Sequence, residues 1–553
     1  MSLMAKRILI GMLLIIGVFI LNPQTAIAET NIYINVDGKH VLSADSKYFL
    51  DEFVGRVMVP VSFVSEELKM EVAYNKSCQF VSINKGEKLI TLSIKDNTCL
   101  INGEKVKLEI PVRLINNEVY LPLRFISESV NLEVKWDSPT KVVYIITPNE
   151  ELTHIDEWDR NLWNKTIEAY LLEDLWLEHD IYDAGHYLMV PLHAAFLLNE
   201  EEWQKQYSNH FKRFMNQGLD KISDVELYRL HYYYLASRFL VLAQQTGHKE
   251  LIPEGLDEVL YSYIESRWTK DPAWQWDTKP FNNGIKERLN WKLNTLNVDQ
   301  SYYRAITDHE FFMFSIAADL KQYEYLNQRS TDYTSVLDDI LDTVYVVFNN
   351  EVERQDDGGW LFQPGTWTDH PDNAYAGYLE KGTDLIPCPK NNIAWDSSHG
   401  TRFPLWLTSL ADAYEERDIH KQFYEELNKG LEKQFLNRVL INPVFDGDSY
   451  KTTNYMDGYN GLYRWEHDTA GRNCGYGQYE LSGTLTLGWW TFLDGDQINK
   501  VYKNISREFP LNQEVIDMYV GPNTTRERNC LVEDPACYQN GFRELIVRLA
   551  GKI

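Results

Sequence analysis

The chain has few cysteines and few basic residues for its length. Its six cysteines among 553 residues form no C-x-x-C pair, so that metal-binding and redox motif is absent. The 54 Lys and Arg residues are outnumbered by 81 Asp and Glu residues, which gives a formal net charge of −27. Because phosphate recognition depends on clustered Lys and Arg, this balance disfavours nucleic acid as a partner.

Several catalytic motifs are also absent. The chain contains no H-E-x-x-H, no G-x-S-x-G and no P-loop, so zinc proteases, serine hydrolases and NTPases find no support. His186 and His193 lie seven residues apart on one predicted helix, but no third ligand pattern accompanies them. We therefore predict core packing for these histidines, and we predict neither a metal site nor a cofactor.

Beyond the first 28 residues, the sequence has no apolar run long enough to cross a bilayer. The run from Ile8 to Leu21 has 14 residues, whereas a spanning helix needs roughly 20. Lys6 and Arg7 precede this run and Ala26-Ile27-Ala28 follows it, which is the pattern of a secretory signal with its cleavage site. Residues 1–28 are thus predicted to be a signal peptide, and the mature chain is predicted to be secreted or at the cell surface without a transmembrane segment.

Export would place the cysteines in an oxidising environment. The local pairs Cys78 with Cys99 and Cys530 with Cys537 are the first candidates for disulfides. Free buried thiols are the alternative.

Two copies of one pattern occupy residues 31–148. The run M-V-P-V-S-F-V-S-E at 58–66 recurs as Y-L-P-L-R-F-I-S-E at 120–128, and the offset of 62 continues into Val143-Tyr144-Ile145. Each copy predicts a hairpin turned at Asp37-Gly38 or Asn102-Gly103, then a short helix opened by a proline, then a strand pair.

These repeats resemble the copper amine oxidase N-terminal-like, or stalk, domain, which is common in exported proteins of Gram-positive bacteria. The resemblance covers about residues 31–147 and implies a non-catalytic spacer or attachment module that contacts the cell wall. In a true copper amine oxidase the cofactor tyrosine stands in Thr-x-x-Asn-Tyr-Asp/Glu, and two of three copper ligands form His-x-His. Here the nearest string, at 451–456, is Lys-Thr-Thr-Asn-Tyr-Met, and no His-x-His occurs among the 13 histidines. Amine oxidation is therefore not predicted.

The apolar spacing changes from about two to between three and four near residue 152, which predicts helices over 152–553. The predicted helices cover about 162–175, 184–198, 201–216, 226–242, 254–268, 301–321, 332–352, 403–416, 419–436 and 480–493. Ser223-Asp224-Val225-Glu226 predicts a capping box. The predicted fold is multidomain: a small α+β, β-rich duplicated module precedes a large all-α domain. Helical hairpins wound in a ring, an α/α toroid, are favoured, and an array that does not close is the alternative.

Long segments between the predicted helices concentrate aromatic and polar residues, as binding and catalytic loops do. Flat aromatic rings suit the apolar face of a sugar, and this texture resembles α/α-toroid carbohydrate-active enzymes by analogy of fold and composition. The predicted substrate-binding residues are Trp360, Trp367, Trp395, Tyr455, Arg464 and Trp465. The predicted catalytic residues are Asp396, His399, Arg402, Tyr459, Glu466 and His467.

The segment 395–402 is the strongest candidate, because it immediately precedes a helix near Phe403. An anion there would face Arg402 and backbone N–H groups, and His399 would transfer a proton. The structural alternative is that Asp396 only caps a turn and that His399 only satisfies buried groups.

Two chemistries fit these residue types, and a polysaccharide or cell-wall glycan is the predicted partner of both. A lyase acting on a uronic-acid polysaccharide needs a cation to neutralise the carboxylate, here Arg402 or Arg464, with a base and an acid. A glycoside hydrolase needs two carboxylates, for which Asp396 and Glu466 are the first pair to measure. A non-catalytic glycan-binding or surface protein is the third possibility.

The first prediction concerns export. Cleavage after Ala28 makes Glu29 the first residue of the mature chain, because small residues at 26 and 28 fit the signal-peptidase pattern. Amino-terminal sequencing of the secreted protein tests this, and an intact Met1 on cytoplasmic material would contradict it.

Overall fold

A computed structural model describes the chain from residue 32 to residue 553, with gaps. The gaps are 37–38, 42–47, 52–54, 77–78, 86–87, 95–96, 109, 116–117, 131, 138–141, 147–153, 174–177, 219–222, 275, 277–279, 444–448, 467–474, 494 and 523–527. The predicted signal peptide lies outside the described residues. The chain divides into two compact units between Asn149 and Glu150.

The first unit consists of short strands and two short helices. Its strands are β1 Tyr33–Val36, β2 Lys39–Val41, β3 Phe49–Asp51, β4 Arg56–Pro60, β5 Glu71–Asn75, β6 Phe80–Lys85, β7 Lys88–Ser93, β8 Thr98–Ile101, β9 Glu104–Lys107, β10 Arg113–Ile115, β11 Glu118–Pro122, β12 Glu133–Asp137 and β13 Val142–Ile146. Its helices are α1 Val61–Glu66 and α2 Leu123–Ser129.

The order of these elements repeats as the sequence predicts. In each copy a strand ends at a proline, Pro60 or Pro122, that serves as the N-cap of the helix. The turn between β8 and β9 has positive φ at Asn102 (48°) and Gly103 (89°), the left-handed region that Asn-Gly hairpins adopt. Asp37-Gly38 lies outside the described residues, although Val36 and Lys39 on either side are paired.

Each of the three sheets takes strands from both copies. The strand orders are β12-β13-β1-β2, β10-β11-β4-β3 and β5-β6-β7-β8-β9. In the second sheet β4 pairs antiparallel with β11, so that Val59 lies opposite Leu121. Both residues belong to a single apolar core. The two copies therefore form one folding unit, since neither copy supplies a complete sheet alone.

The second unit is mainly helical. Its α-helices are α3 Glu157–Lys165, α4 Ile167–Leu172, α5 Glu178–Tyr187, α6 Met189–Leu197, α7 Glu201–Gln217, α8 Glu226–Gln245, α9 Leu256–Thr269, α10 Gly284–Asn294, α11 Asp308–Leu326, α12 Thr334–Glu351, α13 Ser397–Gly400, α14 Phe403–Asp412, α15 Ile419–Gln434, α16 Asp496–Glu508, α17 Gln513–Val520, α18 Ala536–Gln539 and α19 Phe542–Ala550. Short 3-10 helices cover Lys249–Leu251, Ser301–Arg304, Pro371–Asn373, Ser482–Leu487 and Trp489–Leu493, and a π-helix covers Phe435–Val439. Four short strands are β14 Val352–Arg354, β15 Trp360–Phe362, β16 Leu440–Ile441 and β17 Lys451–Thr452. The predicted fold class, a β-rich duplicated module followed by a helical region, is confirmed.

Two helices that were predicted as continuous are interrupted. The predicted helix 162–175 is two helices separated at Thr166, whose hydroxyl donates to the carbonyl of Leu162. The predicted helix 184–198 breaks at Leu188, because Pro191 in the first turn of α6 has no N–H to donate back across the break. His186 and His193 therefore lie on different helices.

Three further details differ from the predictions. The capping box at 223–226 is not formed: α8 begins at Glu226, whose carboxylate binds Arg267 instead. The capping box forms at Thr307 and Glu310, so the helix predicted from residue 301 begins at Asp308. The helix predicted at 480–493 is two 3-10 segments, which Gly488 separates with a φ of 79°.

The candidate disulfide between Cys530 and Cys537 is not formed, and both residues are free thiols, Cys530 exposed and Cys537 buried. Cys99 is also a free thiol, whereas Cys78, its predicted partner, lies outside the described residues. In the part of the chain that the structure describes, no helix is long and apolar enough to cross a membrane.

The ends of the helical unit contact each other. Helix α19 packs against α3 and α6, and the fully buried Asp159 of α3 binds both Arg548, at 2.5 Å, and Lys552. Burial alone would raise the pKa of the Asp159 carboxyl, but these two cations outweigh burial and lower it. The first and last helices are thus joined by a buried ion cluster, and the α/α toroid stays a prediction.

Replacement of Asp159 by alanine should lower the free energy of unfolding by about 3–5 kcal/mol, because two cations lose their buried partner. Since folding lowers the pKa of Asp159, its stabilising contribution is present above its unfolded pKa of about 3.9 and is lost as the pH falls below that value. Urea unfolding at neutral pH measures the effect. Asp224→Ala, at an exposed ion pair, is the control and should change little; equal losses for the two variants would contradict the prediction.

Candidate functional site

A cleft in the helical unit encloses a cavity of about 200 Å³. Its wall is unusually rich in tryptophan and in charged side chains. The lining residues are Trp274, Trp276, Arg288, Thr307, Asp308, His309, Trp367, His370, Asp372, Asn373, Ala394, Trp395, Asp396, His399, Tyr463 and Arg464. Rings suited to stacking thus stand beside carboxylates, imidazoles and guanidinium groups.

The predicted segment 395–402 lies beside the segment 454–464 at this cleft, and the second segment carries the predicted residues Tyr455, Tyr459 and Arg464. The N–H of Ser397 donates to the carbonyl of Asn454 at 2.8 Å, and the N–H of Met456 donates to the carbonyl of Trp395 at 2.9 Å. Asp396 and Tyr455 form an isolated antiparallel bridge. The segment after Tyr455 then brings Arg464 to the wall that holds His399.

His399 is held by Asp396. Its Nδ1 lies 2.7 Å from Oδ2 of Asp396, while the other carboxylate oxygen accepts from the His399 backbone N–H at 3.1 Å and from the Ser398 hydroxyl. Burial alone would raise the pKa of the Asp396 carboxyl, but His399, Ser398 and Arg464 hold this pKa well below its usual range. The ionised carboxylate fixes the proton of a neutral His399 on Nδ1, which leaves Nε2 as a proton acceptor. Since 27% of the His399 side chain is exposed, a ligand in the cleft can reach it.

Arg464 is held by Asp372. The Arg464 Nε donates to Oδ2 of Asp372 at 2.9 Å, and its backbone N–H donates to the Asp372 carbonyl at 2.7 Å. The Arg464 side chain remains one-third exposed. The backbone N–H of Asp372 also donates to Nδ1 of His370 at 3.2 Å, so that a neutral His370 carries its proton on Nε2. The cleft therefore offers an accessible cation, a proton acceptor and a hydrogen-bond donor.

Arg402 lies behind the cleft wall. Its guanidinium binds Asp308 at 2.8 Å and the hydroxyl of Tyr182 at 3.2 Å, and it lies over the ring of Phe312. Burial alone would raise the pKa of the Asp308 carboxyl, but Arg402 and the nearby histidines lower it. Arg402 is 5% exposed and so holds Asp308 in place, whereas the sequence analysis expected it to face an anion.

Trp367 and Trp395, two of the predicted substrate-binding residues, line the cleft. Other aromatic residues of that predicted set pack elsewhere. Trp360 is buried and donates through Nε1 to the carbonyl of Leu427 at 2.6 Å. The hydroxyl of Tyr455 donates to Asn373 Oδ1 and to the Leu462 carbonyl, both at 2.9 Å. Within the described chain, Trp360 and Tyr455 do not line the cavity.

The remaining predicted residues are also away from the cavity wall. Tyr459 packs on Tyr455 and under the amine of Lys390. Glu466 is exposed and accepts from the hydroxyl of Tyr375 at 2.8 Å. Trp465, the next residue after Arg464, is partly buried and is not among the residues that line the described cavity. His467 lies outside the described residues.

The structure adds residues that the sequence analysis did not select. These are Trp274, Trp276, Arg288, Asp308, His309, His370, Asp372 and Tyr463. Thr307 and Glu310 have the spacing of a capping box, and that signal would have placed Asp308 and His309 at a helix N-terminus. In the described ranges, no group of three or more His, Cys, Asp or Glu residues is arranged to hold a metal ion.

Residues 35–145 match the family model of the copper amine oxidase N-terminal domain. This match confirms the resemblance that the repeats carry, and it is confined to the β-rich unit. No curated protein and no solved structure matches the chain. The resemblance of the helical unit to α/α-toroid carbohydrate-active enzymes stays a prediction.

The surroundings of His399 and Arg402 predict different effects on stability. His399→Ala removes one partner of the buried Asp396 but leaves its bonds from the Ser398 hydroxyl and the backbone N–H of residue 399, so it should cost about 1–3 kcal/mol. Arg402→Ala leaves the largely buried Asp308 without its cation and should cost about 3–5 kcal/mol. Thermal unfolding of both variants measures the difference. A larger loss for His399→Ala than for Arg402→Ala would contradict these assignments.

Proposed function

We propose that the helical unit is a polysaccharide lyase that cleaves a glycan containing uronic acid. One observation carries this proposal: His399, oriented by Asp396, shares an aromatic cleft with the accessible guanidinium of Arg464. Tryptophan rings provide faces for the C–H side of a sugar, and the guanidinium suits a sugar carboxylate.

The proposed reaction is a β-elimination. Arg464 binds the uronate carboxylate and stabilises the negative charge that develops when the proton on the adjacent carbon, C5, is removed. Nε2 of His399 takes that proton. The electron pair of the C–H bond forms a double bond between C4 and C5, and the bond from C4 to the glycosidic oxygen breaks. The imidazolium formed at His399 then gives a proton from Nε2 to this oxygen, so the products are a new chain end and an unsaturated sugar, and His399 returns to its neutral form.

The electrostatics favour elimination over hydrolysis. A glycoside hydrolase needs one carboxyl group that is protonated near neutral pH to act as general acid. The pKa values of Asp396 and Asp308 are both lowered, because His399 and Arg402 stabilise their ionised forms more than burial disfavours them. Glu466, the predicted partner of Asp396 in a hydrolase, does not line the described cavity.

The β-rich unit is proposed to be a spacer or attachment module of an exported protein. Its family match and the signal-like sequence of residues 1–28 support this role. A second cavity of about 420 Å³ in this unit is lined by Arg56, Lys107, Arg124, Glu128 and apolar side chains. None of these residues takes part in the proposed elimination.

The proposed reaction predicts an ultraviolet-absorbing product. The purified mature chain should be incubated with a panel of neutral and uronic-acid polysaccharides, and absorbance should rise only with a uronic-acid polymer. New reducing ends without ultraviolet absorbance would indicate a hydrolase. Retention of the polymer without any product would indicate a binding protein.

His399→Ala should lower kcat by at least about a hundredfold, because the base is lost. His420→Ala is a matched control: the His420 Nδ1 lies 2.8 Å from Asp418, and its side chain is similarly exposed, but it does not line the described cavity. This control should keep full activity. Equal activities of the two variants would contradict the role of His399.

A further inference from the structure

Trp274 is an exposed tryptophan at the cleft. It exposes 58% of its surface, although it belongs to the cavity wall. Burial of apolar surface stabilises a protein by about 25 cal/mol for each Å² removed from water, and the exposed part of Trp274 lacks this stabilisation. A large apolar face beside a candidate site is typical of a surface that a ligand covers.

The backbone at Trp274 is fixed by a buried arginine. Nη1 of Arg288 donates to the carbonyl of Trp274, and Nε of Arg288 lies 3.0 Å from the buried carboxylate of Glu310. Glu310 in turn accepts from the backbone N–H of Thr307 at 2.9 Å, in the capping box of α11. Trp274 is therefore tied to the helix end that carries Asp308, so its ring is presented by a rigid support.

An unbroken row of rings leads from Trp274 to His399. The ring centroids of Trp274 and Trp276 are 5.7 Å apart, and those of Trp276 and Trp367 are 6.2 Å apart. The row continues from Trp367 to Trp395 at 6.1 Å and from Trp395 to His399 at 6.4 Å. This wall is several ring-to-ring steps long, whereas the proposed reaction needs only the two sugar units that share the bond to be broken.

Arg288 also provides an unused donor in this part of the wall. Its side chain is 2% exposed, and Nη2 has no hydrogen-bond acceptor among the residues that the structure describes. An unsatisfied buried donor costs about 1–3 kcal/mol, more for a charged group. A carboxylate or hydroxyl oxygen of a ligand is the kind of acceptor that this group lacks.

We propose that Trp274, Trp276 and Arg288 form a further sugar subsite, which takes a unit of the glycan chain beyond the two that share the bond broken at His399. The substrate is then an oligosaccharide or polysaccharide, and affinity rises with its length. This inference rests on the proposed function, because that function supplies the sugar at His399.

The test measures binding in the His399→Ala background, where no cleavage consumes the ligand. Galacturonate and glucuronate-containing oligosaccharides of two, four and six units are titrated into the full chain by calorimetry. Kd should fall with length for at least one series. Adding Trp274→Ala should remove this gain, weakening the longest oligosaccharide by about tenfold, while the disaccharide is little affected.

Two further variants serve as controls. Trp274→Tyr keeps a stacking face and should retain most of the gain, and Trp158→Ala removes another exposed tryptophan, 51% exposed and away from the described cavity. Arg288→Gln should weaken binding as well, but it also removes a buried ion pair with Glu310. Trp274→Ala is the decisive variant, because the Trp274 side chain is exposed and its loss should not affect folding.

The outcomes separate this inference from the proposed function. Length-dependent binding that requires Trp274, without ultraviolet-absorbing products from the active chain, would support the subsite and overturn the lyase. Lyase activity with a length dependence that Trp274→Ala leaves intact would overturn the subsite alone. No binding by either series would overturn the subsite.

Discussion

The buried carboxylate of Asp396 is the constraint on which the candidate site depends. One oxygen caps the short helix α13 through the N–H of His399, and the other holds the imidazole of the same residue. The backbone at Asp396 is bridged to Tyr455, which brings the segment carrying Arg464 to the same cleft. A single carboxylate thus orients the proposed base, and its neighbouring backbone joins the two segments of the site.

The other charges of the cleft are arranged in pairs around it. Arg402 neutralises Asp308 behind the wall, and Asp372 holds Arg464 while leaving much of this guanidinium accessible. Arg288 and Lys292 together face Glu310. Burial alone would raise the pKa values of Asp308 and Glu310, but the neighbouring cations outweigh burial and lower them. The described cavity wall therefore combines carboxylates held by cations, the partly exposed guanidinium of Arg464 and three histidines, His309, His370 and His399.

The sequence predicted those parts of the structure that depend on local or repeated patterns. The in-register repeats gave the two copies of the β-rich unit, and the structural alternative for Asp396, a cap on a turn, describes its bond from the His399 N–H. It did not predict Asp308 or Asp372 in the cleft, because tertiary contacts between distant segments bring them there. The sequence analysis expected Arg402 to face a bound anion because it lies next to a helix start. In the structure its guanidinium binds Asp308 and lies over the Phe312 ring. Helices α10, α16, α17 and α19 were missed, although α19 joins the two ends of the helical unit.

The central claim is that a proton leaves the sugar and that no water enters the product. Digestion of a uronic-acid polysaccharide in water labelled with heavy oxygen, followed by mass spectrometry of the products, tests this claim directly. Elimination predicts an unsaturated product, lighter than the saturated sugar by one water, with no label incorporated during cleavage. Labelled oxygen in the newly formed chain ends, at the mass of the hydrated sugar, would contradict the account and identify hydrolysis.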